Sequence, residues 1–168
     1  MKYARCTLPL LVLQLCASVA HAADRIDLNR GWQFFVEEEL ADGAIRQAPR
    51  GTQSIDVPHT WNRAGTDYEH LGTGWYFRHF TLPKLPSNAT VQLHFGGTFY
   101  KSRVWVNGHE VGSHEGGYTA YSFDVTPHLR AENSISMAVD NRPGMYTIPG
   151  FAARGAPDAW YDWWAYGG

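Results

Sequence analysis

An all-β fold, an antiparallel β-sandwich of the jelly-roll type, is predicted by three features of this sequence. Short runs rich in β-branched and aromatic residues alternate with polar residues at a period of two, the pattern of strands with one buried face. Gly, Pro and Asn turn signals separate those runs at short intervals. After the first residues, no stretch sustains the 3.6-residue apolar repeat of an amphipathic helix. About eight strands result, enough for two packed sheets.

The first strand holds Trp32, Phe34 and Val36 on one face and is followed by the acidic run Glu37 to Glu39, read as a solvated edge or loop. Ile55 and Val57 open a short extended piece that Pro58 ends, because proline lacks a ladder donor and belongs at an edge. A polar, glycine-bearing loop from Asn62 leads to a strand with Tyr76, Arg78 and Phe80 on one side and Trp75, Phe77 and His79 on the other. Aromatic residues on both faces predict burial on both. After the Pro-rich turn from Lys84 to Asn88, Val91, Leu93 and Phe95 alternate with polar residues. Asn107-Gly108 then separates two β-rich segments and predicts a tight hairpin, since both residues accept positive φ. Gly116-Gly117 breaks the chain again before Tyr121, Phe123 and Val125. Pro127 to Asn133 reads as a turn or short helical turn, and Ile135, Met137 and Val139 mark the last strand. From Pro143 the pattern is lost in a Pro- and Gly-punctuated segment that ends in Trp160-Tyr161-Asp162-Trp163-Trp164-Ala165-Tyr166-Gly167-Gly168. A loop of that length on a compact domain is more often functional or interfacial than idle.

The start of the chain reads as a secretory signal peptide over residues 1–22. Lys2 and Arg5 form its basic region, Leu8 to Leu15 its apolar run and Ala20-His21-Ala22 its cleavage site. The apolar run is shorter than the roughly 20 residues that span a bilayer, so no membrane association is expected after cleavage. Cys16 does not read as a lipidation site, because bulky Leu15 stands where a small residue is needed. Export to the periplasm or the medium follows. Removing 22 residues from 168 leaves 146, one domain able to bury about 68% of its unfolded surface. Both cysteines, Cys6 and Cys16, go with the signal, so no disulfide is expected and packing must supply stability. Without Lys2 and Arg5 the chain has 12 basic and 16 acidic residues, scattered along it. That argues against a nucleic-acid partner or an anionic membrane surface, which need clustered Lys and Arg.

Nine segments, in order along the chain, resemble glycoside hydrolase family 2, the family of β-galactosidases and β-glucuronidases. They are Gly31-Trp32; Val57-Pro58-His59-Thr60-Trp61-Asn62; Gly72-Thr73-Gly74-Trp75-Tyr76; Phe95-Gly96-Gly97; Val104 to Gly108; Gly116 to Thr119; Phe123 to Thr126; Val139-Asp140-Asn141; and Asp162 to Gly168. Each is weak alone, whereas nine in register are specific. Phe77 departs from the pattern, since members often carry a second basic residue after Trp-Tyr. The resemblance implies a galactose-binding-domain-like jelly roll over residues 23–142. It makes residues 143–168 an aromatic tail leading toward an immunoglobulin-like domain and a catalytic barrel. Such a barrel takes about 250 residues and does not fit within this chain. In this family both catalytic carboxylates are barrel glutamates, so none of Glu37, Glu38, Glu39, Glu69, Glu110, Glu115 or Glu132 is assigned a catalytic role and the chain alone is expected to be inactive.

The resemblance also implies candidate substrate-binding residues in the tail. Asp162-Trp163-Trp164-Ala165-Tyr166-Gly167-Gly168 is similar to the family pattern Asp-aromatic-aromatic-x-Tyr-small-Gly, whose aspartate reaches the barrel's pocket and accepts hydrogen bonds from sugar hydroxyls. An ionised carboxylate suits that task, because it accepts from two hydroxyls at once through charge-assisted bonds. The neighbouring tryptophans, Trp163 and Trp164, can cover the apolar face of a pyranose, or else Trp160, Trp163 and Trp164 pack against the barrel while Asp162 only caps the loop.

Other candidates are weaker. Trp61, Trp75, Trp105 and Tyr118 could form a carbohydrate platform, but aromatics in a sandwich of this size are more often core or interface residues. His109 and His114, five apart across an expected turn, lack a second ligand pair, so no zinc or other metal is expected. Asn88-Ala89-Thr90 fits the glycosylation acceptor pattern, which is short enough to arise by accident. No cofactor fingerprint is present. Two further readings stay open: a self-contained secreted lectin-like module, and a non-functional truncation.

Overall fold

The computed structural model describes residues 25–37, 48–62, 70–142, 144 and 167–168. The expected signal peptide, most of the acidic run and Asp162, Trp163 and Trp164 lie outside the described residues. Among the described residues eight strands run in chain order: β1 (Trp32–Glu37), β2 (Gln53–Ile55), β3 (Thr73–Thr81), β4 (Gln92–Phe95), β5 (Lys101–Val106), β6 (His109–Glu115), β7 (Tyr121–Asp124) and β8 (Glu132–Asp140). A 3-10 turn spans Thr126–His128, where a turn was expected. The first sheet has the order β2-β1-β3-β8-β5-β6 and the second pairs β4 with β7; neighbouring strands in both run antiparallel. The antiparallel sandwich expected of the sequence is therefore the observed architecture.

The core lies between the sheets. Trp32 and Phe34 from β1, Tyr76 from β3, Val104 and Val106 from β5, and Ile135, Met137 and Val139 from β8 meet Leu93, Phe95 and Phe123 of the second sheet. In β4 and β8 this is the apolar parity of the strand, so period-two alternation selects the buried face, whereas β3 and β5 carry large apolar side chains on both faces. Across the second sheet His94 pairs with Ser122 on the water side, Nδ1 to Oγ at 2.9 Å. Burial of β3 on both faces holds for Trp75, Tyr76 and Phe77 and relaxes from Arg78 onward. On the opposite face of the first sheet, Trp75 stacks on Phe35 and on Trp105, with Ala138 between strands leaving room for the rings. Arg78 donates to the carbonyls of Leu28 and Arg30 and so ties the lead into β1 onto the sandwich.

The hairpin between β5 and β6 turns at Asn107 (φ 52°) and Gly108 (φ 83°), the two positive-φ residues a tight turn of this type demands. Asn107 adds its own anchors: Nδ2 donates to the carbonyl of His128 at 2.7 Å, and Oδ1 accepts from the Ser134 N–H at 2.9 Å. The two histidines stand differently from the expectation. Both belong to β6, with no turn between them. Val104 faces Gly112 and Trp105 faces Glu110, so Val111 is an extra residue, a β-bulge. The bulge resets the parity of the strand, and His109 and His114 face Val106 and Ser102 on one side of it. Four residues of strand rise keep them about 13 Å apart, too far for one ion. His109 stacks on His128, while His114 stacks on Tyr121 and meets the Thr119 hydroxyl at 3.0 Å.

Candidate functional site

One end of the sandwich gathers the starts of β3 and β5, the end of β8 and three loops, at 57–62, 96–100 and 116–120. Registers place Thr73 and Lys101 both opposite Asp140, so the strand termini are level there. The final glycines of the chain return to this end. Trp61 N–H donates to the Gly167 carbonyl at 3.3 Å, and Phe99 exchanges both backbone hydrogen bonds with Gly168, at 2.7 and 3.4 Å. The gap they occupy admits only glycine. A Cβ on Gly167 would lie 1.9 Å from Trp61 Cζ2, and one on Gly168, whose φ is 146°, would lie 2.0 Å from the His59 carbonyl oxygen.

Two buried asparagines organise this end. Asn62, 3% exposed, and Asn141, fully buried, lie 79 residues apart in sequence. Asn62 Oδ1 accepts from Asn141 Nδ2 at 2.9 Å and from the Gly167 N–H at 2.8 Å. The carbonyl of His70 accepts from Asn62 Nδ2 at 2.8 Å and from Asn141 Nδ2 at 3.2 Å. Asn141 Oδ1 accepts from the Gly72 N–H at 2.8 Å, and its own N–H returns a bond to the Gly72 carbonyl at 3.2 Å. Amides buried this deeply are tolerated because nearly every donor and acceptor they carry is used.

Aromatic rings line the layer beneath. Trp61 stacks on Phe34 with centroids 5.7 Å apart, and His59 packs on Phe34 at 4.6 Å. His59 Nδ1 meets the Tyr76 hydroxyl at 3.1 Å, and burial pushes that phenol well above its ordinary value. At the start of β7, the Tyr121 hydroxyl bridges Ser102 at 2.9 Å and Thr98 at 3.1 Å; burial raises this phenol too.

The described carboxylates near this end have structural partners. Asp140 binds the Arg142 guanidinium through both oxygens, with a closest approach of 2.6 Å, and Glu115 pairs with Lys101 at 3.5 Å. Further along the sheet Glu110 takes two hydrogen bonds from Arg103, which hold its carboxyl below the usual range. Among the described residues no group of three or more His, Cys, Asp or Glu is placed to hold a metal. Of the four platform candidates, Trp61, Trp75 and Trp105 are core residues, as the commoner reading has it. Tyr118 is not. It stands 75% exposed on the 116–120 loop, its ring edge-on to Phe99 at 5.9 Å. Asn88 is exposed in the turn before β4, where a glycosylation acceptor would be accessible. Sequence reading missed the asparagine pair, although each residue closes one of the family segments, Trp61-Asn62 and Asp140-Asn141.

Residues 48–167 match the family profile described as glycosyl hydrolases family 2, sugar binding domain. The chain belongs to glycoside hydrolase family 2. Within that family it is 29% identical over 138 residues to the β-galactosidase BoGH2A of Bacteroides ovatus, covering 74% of this chain and 16% of that one. Over 131 residues it is 32% identical to a β-glucuronidase of Paenibacillus borealis, covering 73% of this chain and 22% of the relative. The β-glucuronidase of an uncultured Clostridium superposes with a TM-score of 0.71 at 27% identity, over 84% of this chain and 26% of the other. This family 2 sugar-binding domain thus spans less than a quarter of either curated relative.

Proposed function

We propose that this domain serves a retaining glycosidase acting on β-glucuronides or β-galactosides, bracing a catalytic barrel and presenting Asp162 to the sugar. The observation that carries the reading is that the family match runs to residue 167 and so takes in the whole Asp162-Trp163-Trp164-Ala165-Tyr166-Gly167 ending. Relatives named for both activities, each several times longer than this chain, support it. In this reading Asp162 accepts hydrogen bonds from two sugar hydroxyls, Trp163 and Trp164 shield the ring or brace the barrel, and the two glutamates that break the bond stand on the barrel. The segment 1–22 directs export, and residues 23–142 form the sandwich unit.

Asp162→Asn in the longer enzyme tests the assignment. Losing charge-assisted bonds to two hydroxyls, at about 1.5 kcal/mol or more each, lowers kcat/KM on an aryl β-glycoside by roughly 100-fold. Unaltered kinetics on both aryl β-glucuronide and aryl β-galactoside would remove Asp162 from the site. One observation favours the second reading, a lectin-like module that binds sugar unaided: the exposed ring of Tyr118. Titrating the chain with methyl β-glucuronide and methyl β-galactoside decides it, since that reading requires saturable binding that Tyr118→Ala abolishes.

A further inference from the structure

We propose that Asn107 is a self-modification site: the closed fold holds its carboxamide inert, local opening lets it deamidate, and the product cannot restore the structure it came from. The site lies at the end of the sandwich where β3 and β5 finish and β8 begins. Asn107 Nδ2 donates to the His128 carbonyl at 2.7 Å and to Asn133 Oδ1 at 2.8 Å. Its Oδ1 accepts from the Ser134 N–H at 2.9 Å, and its backbone N–H donates to the Ser134 carbonyl at 2.9 Å. Both Nδ2 protons are therefore used. Asn133, 2% exposed, is held in turn: its Oδ1 accepts from the Arg130 N–H and its Nδ2 donates to the Arg130 carbonyl, both at 2.8 Å. One carboxamide thus ties the β5–β6 turn to the 3-10 turn and to β8.

Asn107-Gly108 is the one Asn-Gly pair in the sequence. Glycine has no side chain to hinder its backbone nitrogen, which makes such a pair the most reactive setting for an asparagine. In the reaction the Gly108 nitrogen bonds to Asn107 Cγ and the Cγ–Nδ2 bond breaks. The displaced nitrogen leaves as ammonia, taking the proton lost from the Gly108 amide. Water then opens the five-membered imide, giving aspartate by attack at the side-chain carbonyl or isoaspartate, whose backbone is one atom longer, by attack at the main-chain carbonyl. Cyclisation expels Nδ2 and swings Cγ onto the following nitrogen, so the three side-chain bonds must break first. The product is mismatched to the place it left. A carboxylate at position 107 puts an oxygen where Nδ2 stood, so that acceptors oppose acceptors at the His128 carbonyl and Asn133 Oδ1. Turning the Asn133 amide over does not cure this, because both of its bonds to Arg130 would be lost. Isoaspartate adds an atom to a two-residue turn whose flanks, Val106 and His109, are paired. Opening followed by reaction is therefore one-way.

The test incubates the full chain at mildly alkaline pH, folded and in urea, and follows position 107 by mass spectrometry and by isoaspartate content. In urea the residue deamidates at the rate of a synthetic peptide spanning Val104 to Glu110. In the folded chain it reacts at least about tenfold more slowly, since only the locally open fraction is competent. Asn133→Ala removes one acceptor without touching the reactive pair, and it raises the folded rate severalfold. Asn107→Asp, which reproduces one product, unfolds at a lower urea concentration than the unsubstituted chain at neutral pH. Should Asn133→Ala fail to fold, the comparison of folded chain with urea and the stability of Asn107→Asp carry the test. A folded rate less than about tenfold below that in urea, an unchanged rate in folded Asn133→Ala, or an Asn107→Asp chain as stable as the unsubstituted one overturns the proposal.

Discussion

Adding one methyl group at Gly74 destabilises this domain, although Gly→Ala in a strand ordinarily stabilises. Gly74 is buried in β3, between Val36 of β1 and Val139 of β8. A Cβ there would lie 2.5 Å from Trp61 Cζ3 and 2.9 Å from both Phe34 Cε2 and Trp61 Cε3. Carbon pairs settle at about 3.5–4.0 Å, so the indole would have to retreat by about 1 Å. It has nowhere to go. Phe34 stacks on it at 5.7 Å, Gly167 fills the far side, and the backbone N–H of Trp61 is tied to the Gly167 carbonyl. Overpacking of this kind costs about 1–3 kcal/mol, and the narrower unfolded ensemble of alanine returns only about 0.4–1 kcal/mol. Gly74→Ala should lose about 1–2 kcal/mol net. Gly96→Ala is the control, since nothing lies within 4 Å of its Cβ position and its φ is not in the left-handed region, so it should gain about 0.4–1 kcal/mol. Urea unfolding followed by tryptophan fluorescence reads both. If Gly74→Ala proves as stable as Gly96→Ala, Trp61 is not held as described and the anchoring of Gly167 loses its base.

Further consequences concern the rest of the fold. Ile135 is fully buried at the centre of β8, and Ile135→Ala should cost about 2–5 kcal/mol in the same assay. Gly108→Ala places a side chain at φ 83° in the β5–β6 turn and should cost about 1–2 kcal/mol, whereas a value near zero would mean that the turn is not of this type. Tyr76 has its phenol raised by burial, so the stability it contributes is complete below about pH 10, the ordinary value, and is lost above it as only the unfolded chain ionises. Thermal melts between pH 9 and 11 should therefore fall by up to about 1.4 kcal/mol per pH unit for this residue, and Tyr76→Phe should flatten the fall. Glu110→Ala should cost under about 1 kcal/mol, because its pair with Arg103 is well exposed.

Strand content was legible because both sheets obey simple parity. Trp32 and Phe34 flank Gln33, while Leu93 and Phe95, and Ile135, Met137 and Val139, alternate with polar or small neighbours, and each set faces the core. Asn107-Gly108 announced its turn because few residue pairs tolerate positive φ twice in succession. The histidines of β6 were misplaced for the converse reason: a bulge at Val111 has no signature in composition, yet it reverses every facing residue beyond it. The β2 strand begins earlier than expected, at Gln53, since its pairing with Phe34 of β1 is set by the partner strand more than by its own residues. Tyr118 illustrates how little an aromatic residue says about its own burial when it follows two glycines. The asparagine pair was illegible because its partners are 79 residues apart and only the finished sheet brings them within 2.9 Å.

The most direct test of the account is a crystal structure of the longer enzyme with a β-glucuronide or β-galactoside analogue bound. The account predicts an Asp162 carboxylate oxygen about 2.5–3.0 Å from a sugar hydroxyl, with Gly167 still bonded to Asn62. An Asp162 carboxylate turned away, with no sugar oxygen within about 3.5 Å, would contradict it.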